Sequence, residues 1–317
     1  MKSLLKKNLK RFSKAKILCV GDIMLDEFIY GTVERISPEA PVPILLSNTI
    51  NKQLGGAGNV ARNISRIGGK VGIISFIGLD SDSKEILKLL NKEKNITPHL
   101  VKLKKYKLTT KKRFINNASQ LLRVDTEETN FMNKTFHKLF IDKFKKEIKK
   151  YDTVIISDYN KGIVTPEIIS EINTICKNKN KTLLVDPKKK DFSIYRNIEV
   201  ITPNQKELSE AANRNLMTKA EVIKYARKLL NIYNFRYMIV TRAEKGMILI
   251  SKDKEIDFPT SAKEVFDVSG AGDTVIAYIA LGISSDIKIE ETVQTANFAA
   301  GIVVGKTGTA VVNINDL

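Results

Sequence analysis

The sequence predicts an α/β fold, a doubly wound and mostly parallel sheet with a small β lid. Three observations carry this expectation. Short apolar, β-rich runs alternate with helical stretches along most of the 317 residues. Several of those runs end in a polar or glycine-containing turn: Gly21-Asp22, Ser157-Asp158, Asp186-Pro187, Thr202-Pro203-Asn204 and Thr241-Arg242. Two extended segments without helices, 27–50 and 97–125, break the alternation. Strands separated by helices of this length form βαβ units, and a parallel sheet so built is covered on both faces. Ligands of such sheets bind beyond the carboxyl ends of the strands, where these turns converge.

In chain order, the apolar run 16–21 is a buried strand stopped by Asp22. Residues 27–50, with Pro38, Pro41 and Pro43, read as extended lid. Residues 59–69 have helical spacing and close on glycine. A strand follows at 71–78 and a helix at 83–94, before the second lid segment, 97–125. Helical spacing returns at 136–150, then a strand at 152–158. Pro166 opens a helix over 166–178, since a first-turn proline lacks only an amide that would be unpaired anyway. Buried strands are expected at 182–186, 199–204 and 237–242, and helices at 219–231, 271–282 and 289–304. No Gly/Ser/Pro-rich linker, repeat or low-complexity tract divides the chain. The expectation is one domain over 1–317 with the lid inserted.

Composition narrows the function. At 43% hydrophobic, a chain this long buries a sizeable core, which excludes disorder. No run approaches ~18 consecutive apolar residues, so no bilayer-spanning helix is expected. The basic N-terminus lacks the apolar stretch of a secretory signal, which points to the cytoplasm. Cys19 and Cys176 form no CxxC pattern, and two histidines cannot build a His-rich metal site. The net charge is +18, but 42 of the 53 cations are scattered lysines, Trp is absent and aromatics are 7%. Nucleic-acid proteins concentrate Lys and Arg on one face beside stacking aromatics. A lysine-rich solvated surface is the better account of the charge, and neither nucleic acid nor membrane is expected as a partner.

Three segments carry chemistry. Asp267-Val-Ser-Gly-Ala-Gly-Asp273 precedes a good helix, so Gly270, Ala271 and Gly272 open it. Outward amides and the helix dipole there would hold an anion, a transferring phosphoryl group above all. Asp273 in the first turn would serve as general base; it also fits an acidic residue that merely favours the dipole. Gly55-Gly56-Ala-Gly-Asn59 is a second glycine-rich turn into a helix. It is neither a phosphate-binding P-loop nor a well-placed dinucleotide fingerprint, and a NAD-dependent enzyme is accordingly disfavoured. Its glycines admit a polyol closely and Asn59 offers a donor and an acceptor to hydroxyls, or the segment is simply a helix start. Asn204-Gln205-Lys206-Glu207 ends a strand and suits a hydrated Mg2+ beside a nucleotide phosphate, or a capping box.

In this order and at these distances, the three segments resemble the PfkB (ribokinase-like) carbohydrate kinase family over nearly all 317 residues. The resemblance implies a ribokinase-like fold, ATP and Mg2+ as cosubstrate and ion, and scope for a monovalent cation such as K+. Further matches sharpen it: Gly21-Asp-Ile-Met-Leu-Asp26, Arg35-Ile-Ser-Pro-Glu-Ala-Pro-Val-Pro43, Ser157-Asp-Tyr-Asn-Lys-Gly162, Val185-Asp-Pro-Lys188, Val240-Thr-Arg-Ala-Glu-Lys-Gly246 and Val303-Val-Gly-Lys-Thr-Gly308. They are similar to the branch that phosphorylates the C1 hydroxyl of D-glycero-β-D-manno-heptose 7-phosphate for ADP-heptose and the lipopolysaccharide core. A family kinase for another sugar, or a basic nucleic-acid binder on a kinase fold, are the alternatives.

By resemblance, Asp273 is the base and Gly270, Ala271 and Gly272 form the anion hole. Asn204, Gln205, Lys206 and Glu207 hold ATP phosphates, with Glu207 on Mg2+ through water. Thr241, Gly246 and Asn297 line the nucleotide; Arg242 and Ala243 depart from the glycine common after that threonine. Asp26, Gly55, Gly56, Asn59 and Asp158 face the sugar, and Lys111, Arg113 and Arg123 are candidates for its 7-phosphate. The resemblance also implies a homodimer paired through the lids. In many bacteria this kinase is fused to an adenylyltransferase; here the kinase signature ends near Leu317, so a separate adenylyltransferase is expected.

Overall fold

The structure is a computed structural model that describes residues 2–117, 119–262 and 264–316. Its strands, in chain order, begin with β1 (Lys16–Gly21), β2 (Ile23–Ile36), β3 (Pro43–Gly56), β4 (Lys70–Ile74) and β5 (Phe76–Ile77). They continue with β6 (Ile96–Pro98), β7 (Val101–Lys102), β8 (Thr109–Asn116), β9 (Ser119–Thr126) and β10 (Thr153–Ser157). The last are β11 (Thr182–Asp186), β12 (Val200–Ile201), β13 (Tyr237–Thr241), β14 (Met247–Ile250) and β15 (Glu255–Phe258). The helices are α1 (Lys2–Phe12), α2 (Ala57–Arg66), α3 (Ser81–Asn91), α4 (Lys134–Glu147), α5 (Pro166–Asn178), α6 (Gln205–Ala211), α7 (Lys219–Tyr233), α8 (Ala271–Ser284) and α9 (Ile289–Val303).

Nine strands form the main sheet in the order β15-β14-β13-β12-β11-β10-β1-β4-β6. All pairings from β6 to β13 are parallel, and the β13–β14–β15 edge is antiparallel. β1 and β10 are buried at consecutive residues rather than alternate ones, as expected of strands covered on both faces. α1, α2, α8 and α9 pack together in one layer; α4, α5 and α7 belong to the other. α8 is buried at ten consecutive residues from Asp273 to Gly282, so its first turn is fixed directly over the strand ends.

Helix ends follow local rules. Thr165 caps α5 ahead of Pro166, Asn204 and Thr218 form capping boxes with Glu207 and Glu221, and Asp80 and Asn133 cap α3 and α4. Each side-chain oxygen satisfies a first-turn amide that the helix itself leaves unpaired.

A second sheet, β3-β2-β8-β9, stands beside the crevice. It differs from the expected lid in extent. The β2–β3 hairpin begins in the core at Ile23 and returns to Gly56, well beyond 27–50. Of 97–125, β6 joins the main sheet and β7 pairs with β5; only residues from Thr109 onward reach the second sheet. Continuous apolar runs do not reveal which sheet a strand joins. The expected strand 71–78 also breaks at Ser75, whose hydroxyl accepts from the Ile23 amide and donates to the Gly21 carbonyl. No helix among the described residues is long and apolar enough to cross a membrane.

Candidate active site

The crevice lies where β1, β10 and β11 end, roofed by β2, β3 and β8. Asp273, one turn into α8, is 2% exposed. Asn59 of α2 donates its side-chain amide to Asp273 Oδ2 at 2.7 Å, and the Tyr159 hydroxyl donates to Oδ1 at 2.5 Å. Burial pushes the Asp273 carboxyl up to about 6, with the Asp26 charge adding to it; the two hydrogen bonds and the Lys111 charge oppose that rise. A carboxylate poised just below neutral pH is mostly ionised at pH 7–8 yet still able to take a proton.

The turn into α8 leaves first-turn amides open. Gly270 caps the helix with φ 80°, and no side chain caps the first turn. A Cβ on Gly270 would lie 2.7 Å from Asn59 Nδ2, so glycine is required by both conformation and space. The expected three-residue hole is narrower: the Ala271 amide already donates to the Val268 carbonyl. The amides of Gly272 and Asp273 make no hydrogen bond to the described residues, and nothing lies within 4 Å of a Cβ placed on Gly272. Two open amides at a helix N-terminus face the space beside Asp273.

Asp26, on β2 and 3% exposed, accepts from Arg113 of β8 at 2.7 Å. The Arg113 guanidinium also stacks 5.0 Å from the Phe28 ring centroid. Asp26 Oδ2 sits where a side chain at Gly55 would begin, 2.4 Å from that Cβ position. Gly55→Ala should therefore displace Asp26 and raise the sugar KM roughly tenfold, with ATP KM unchanged, if the carboxylate binds sugar hydroxyls; a contact of this kind is worth about 1–2 kcal/mol. Steady-state kinetics with both substrates varied checks it. Gly56 ends β3 and caps α2.

Several expected ligands are otherwise engaged. Arg113 serves Asp26 first, because a buried carboxylate needs a partner. Arg123, on the fully exposed β9, forks onto Asp125. Lys111 approaches the site over the Tyr159 ring, 5.4 Å from its centroid, and has no carboxylate within ion-pair distance among the described residues. Asp158 faces inward: Tyr195 donates to it at 2.6 Å and the Asn160 amide at 2.7 Å, so each of its oxygens already holds one protein donor that ties down the loop.

Past the end of β12, Asn204 forms a parallel bridge with Thr241 that brings two strand ends together. Asn204 and Glu207 complete the capping box, and Lys188 donates to Glu207 at 2.8 Å. Gln205 turns to the Leu216 carbonyl and Lys206 is exposed. Arg242 is drawn away onto Asp257, while Gly246, at φ 81°, closes the turn. The Asn297 amide holds the Pro259 carbonyl and the Ser261 hydroxyl, tethering the segment before α8. For Mg2+, no group of three or more His, Cys, Asp or Glu among the described residues forms a cage. Glu207 is already bonded at both oxygens, so it suits a metal that keeps its waters and leans on phosphate oxygens. Burial, then the Glu207 and Asp273 charges, push Asp186 well above the usual carboxylate range.

Tyr159, Asp22 and Asp186 were not singled out as site residues from sequence. The matching stretches Gly21–Asp26, Ser157–Gly162 and Val185–Lys188 were the available signal, since each sits at a strand's carboxyl end.

A doubly wound sheet with a buried carboxylate at a glycine-opened helix, beside a four-stranded second sheet, is the arrangement of a ribokinase-fold sugar kinase. Residues 14–315 match the pfkB family carbohydrate kinase, and the chain belongs to that family. It is 40% identical over 310 residues to the "Bifunctional protein HldE" of Paramagnetospirillum magneticum, covering 98% of this chain and 64% of that protein. The protein of the same name from Aliarcobacter butzleri is 40% identical over 304 residues, covering 96% and 64%. The chain thus spans a little under two thirds of these relatives. Among solved structures, phosphofructokinase-2 from Escherichia coli in complex with potassium superposes with TM-score 0.80 at 21% identity, over 96% of both chains. Arabidopsis thaliana ribokinase complexed with ribose and ATP gives 0.73 at 16%, over 93% of this chain and 94% of that one. At such identities the likeness is one of fold.

Proposed function

We propose that the chain transfers the γ-phosphoryl group of ATP to the C1 hydroxyl of D-glycero-β-D-manno-heptose 7-phosphate, giving heptose 1,7-bisphosphate. The observation that carries the reading is Asp273, a buried carboxylate beside two open amides at the start of α8, in a chain 40% identical to relatives named "Bifunctional protein HldE". Asp26 and Asn59 orient the sugar hydroxyls, and Asp273 takes the proton from O1 as the oxygen attacks. The Gly272 and Asp273 amides receive the phosphoryl oxygens, where fixed dipoles need no reorganisation. Asn204, Thr241 and the helix start at α6 line the nucleotide phosphates. Mg2+, held through water near Glu207, would neutralise phosphate charge. The second sheet covers the sugar and keeps water from the phosphoryl group.

For the 7-phosphate, Lys111 is the foremost cation, being near the site and without an ion pair among the described residues. A homodimer through the second sheets is part of the reading: Ile50, Leu122 and Val124 are 58%, 56% and 43% exposed, and β9 is an open edge. Cytoplasmic placement and a pathway adenylyltransferase complete it.

The direct test is ADP release with Mg-ATP and a panel of heptose 7-phosphate, fructose 6-phosphate and ribose. Turnover of fructose 6-phosphate or ribose alone would sink the substrate assignment and leave a different sugar for the same site. In the wild type, kcat/KM should fall as pH drops through about 6, because protonation of Asp273 removes the base. A pH profile with no acid limb between 5 and 7, within about a unit of that value, would count against it.

A further inference from the structure

A buried hook behind the base carries one more assignment, which rests on reading Asp273 as that base. Asp22, directly after β1, is 1% exposed. Its Oδ2 accepts from the amides of Tyr159 at 3.0 Å and Lys161 at 3.2 Å, and its Oδ1 from the amide of Ile163 at 3.1 Å. One carboxylate therefore gathers three amides of the loop that follows β10. That loop delivers the Tyr159 hydroxyl to Asp273 Oδ1 at 2.5 Å, and Lys111 of the second sheet rests over the same ring.

We propose that Tyr159, set in place by Asp22, is a positioning residue that keeps the Asp273 carboxylate ionised and fixes its rotation toward the sugar hydroxyl. A phenol that donates to a carboxylate favours the anion. Burial, then the Asp273 charge, hold the phenol well above its ordinary range, so it remains a donor. With Asn59 on Oδ2, each carboxylate oxygen keeps a lone pair for the incoming proton. The other titratable groups facing Asp273 are Cys19 on β1, Asp26 on β2, Lys111 on β8 and Asp186 at the end of β11. Asp22 itself is pushed up to about 6, chiefly by burial, so an acid limb in kinetics is a composite of two groups.

The test is therefore a carbon-NMR titration of the Asp273 carboxyl, identified by its loss in Asp273→Asn, in the full chain and in Tyr159→Phe. The midpoint should rise by about one pH unit in Tyr159→Phe, because a donor to the charged form is lost. kcat/KM should then fall about fivefold at pH 6 and less at pH 8.5, following the ionised fraction. Asp22→Asn leaves one acceptor oxygen for three amides and should move the midpoint the same way. A purely structural tyrosine would change the melting temperature or kcat at every pH alike. An unchanged midpoint in Tyr159→Phe overturns the assignment, and an unchanged midpoint in a folded Asp22→Asn removes Asp22 from it. The titration needs no substrate. A shifted midpoint in a protein that does not turn over heptose 7-phosphate would sink the substrate reading alone.

Discussion

Replacing Asp273 by Asn is expected to lower kcat by a factor on the order of 10²–10⁴, the usual contribution of a positioned general base, while ATP binding survives. The change is nearly isosteric, and the neighbourhood can absorb it. Asn59 Oδ1 is buried without a hydrogen-bond partner. Rotation of that amide lets Asn59 accept from the new amide while Tyr159 still donates to its oxygen. The variant should also be more stable at pH 8 than the wild type. Burial pushes the wild-type carboxyl up to about 6 in the folded protein, against 3.8 for a solvated aspartate. Between those values the native state holds the proton better than the unfolded chain, so stability falls as pH rises through that window. Asn carries no charge and escapes this loss, a gain of roughly 1–3 kcal/mol at pH 8. Calorimetry at pH 4 and pH 8, with single-turnover kinetics, checks both halves. Residual kcat near wild type would contradict the base.

The second large effect belongs to Arg113. Its guanidinium and Asp26 are both nearly closed off from water, at side-chain exposures of 11% and 5%. Arg113→Ala strands the Asp26 carboxylate without its cation, a loss of about 3–5 kcal/mol for a buried pair. In the proposed reaction Asp26 orients the sugar hydroxyls, so KM for the sugar phosphate should rise as well. Arg123→Ala is the control: its partner Asp125 and its own side chain are solvated, and the change should fall within about 0–1 kcal/mol. Coupling between Arg113→Ala and Asp26→Asn in a double-mutant cycle should be large, since the pair is in direct contact. Equal, small effects at 113 and 123 would mean that the 2.7 Å pair contributes little.

These residues show how much of the molecule was legible in the sequence. The parallel core was, because apolar runs and helical spacing are local signals. The placement of Asp273 was, since Gly270–Asp273 announces a helix start that puts a carboxylate beside unpaired first-turn amides. The fate of the cations was not. Arg113 looked like a phosphate ligand because its alternation with Lys111 was visible, whereas its buried partner lies 87 residues away in sequence. Asp158 sits at a strand's carboxyl end, which is visible locally, but the Tyr195 hydroxyl that donates to it comes from a later segment. Tyr159 escaped notice because a phenol in a loop carries no pattern of its own. Its role depends on Asp22, which bonds it from 137 residues away. The lid's limits depended on strand pairing, which apolar runs alone do not encode.

Phosphorus NMR of the product formed from D-glycero-β-D-manno-heptose 7-phosphate and Mg-ATP decides whether O1 is the oxygen phosphorylated. The expected product is a sugar bisphosphate with the original ester phosphate intact and one new phosphate coupled to the anomeric proton, absent with Asp273→Asn. A phosphate on any other carbon, or equal yield from Asp273→Asn, would contradict it.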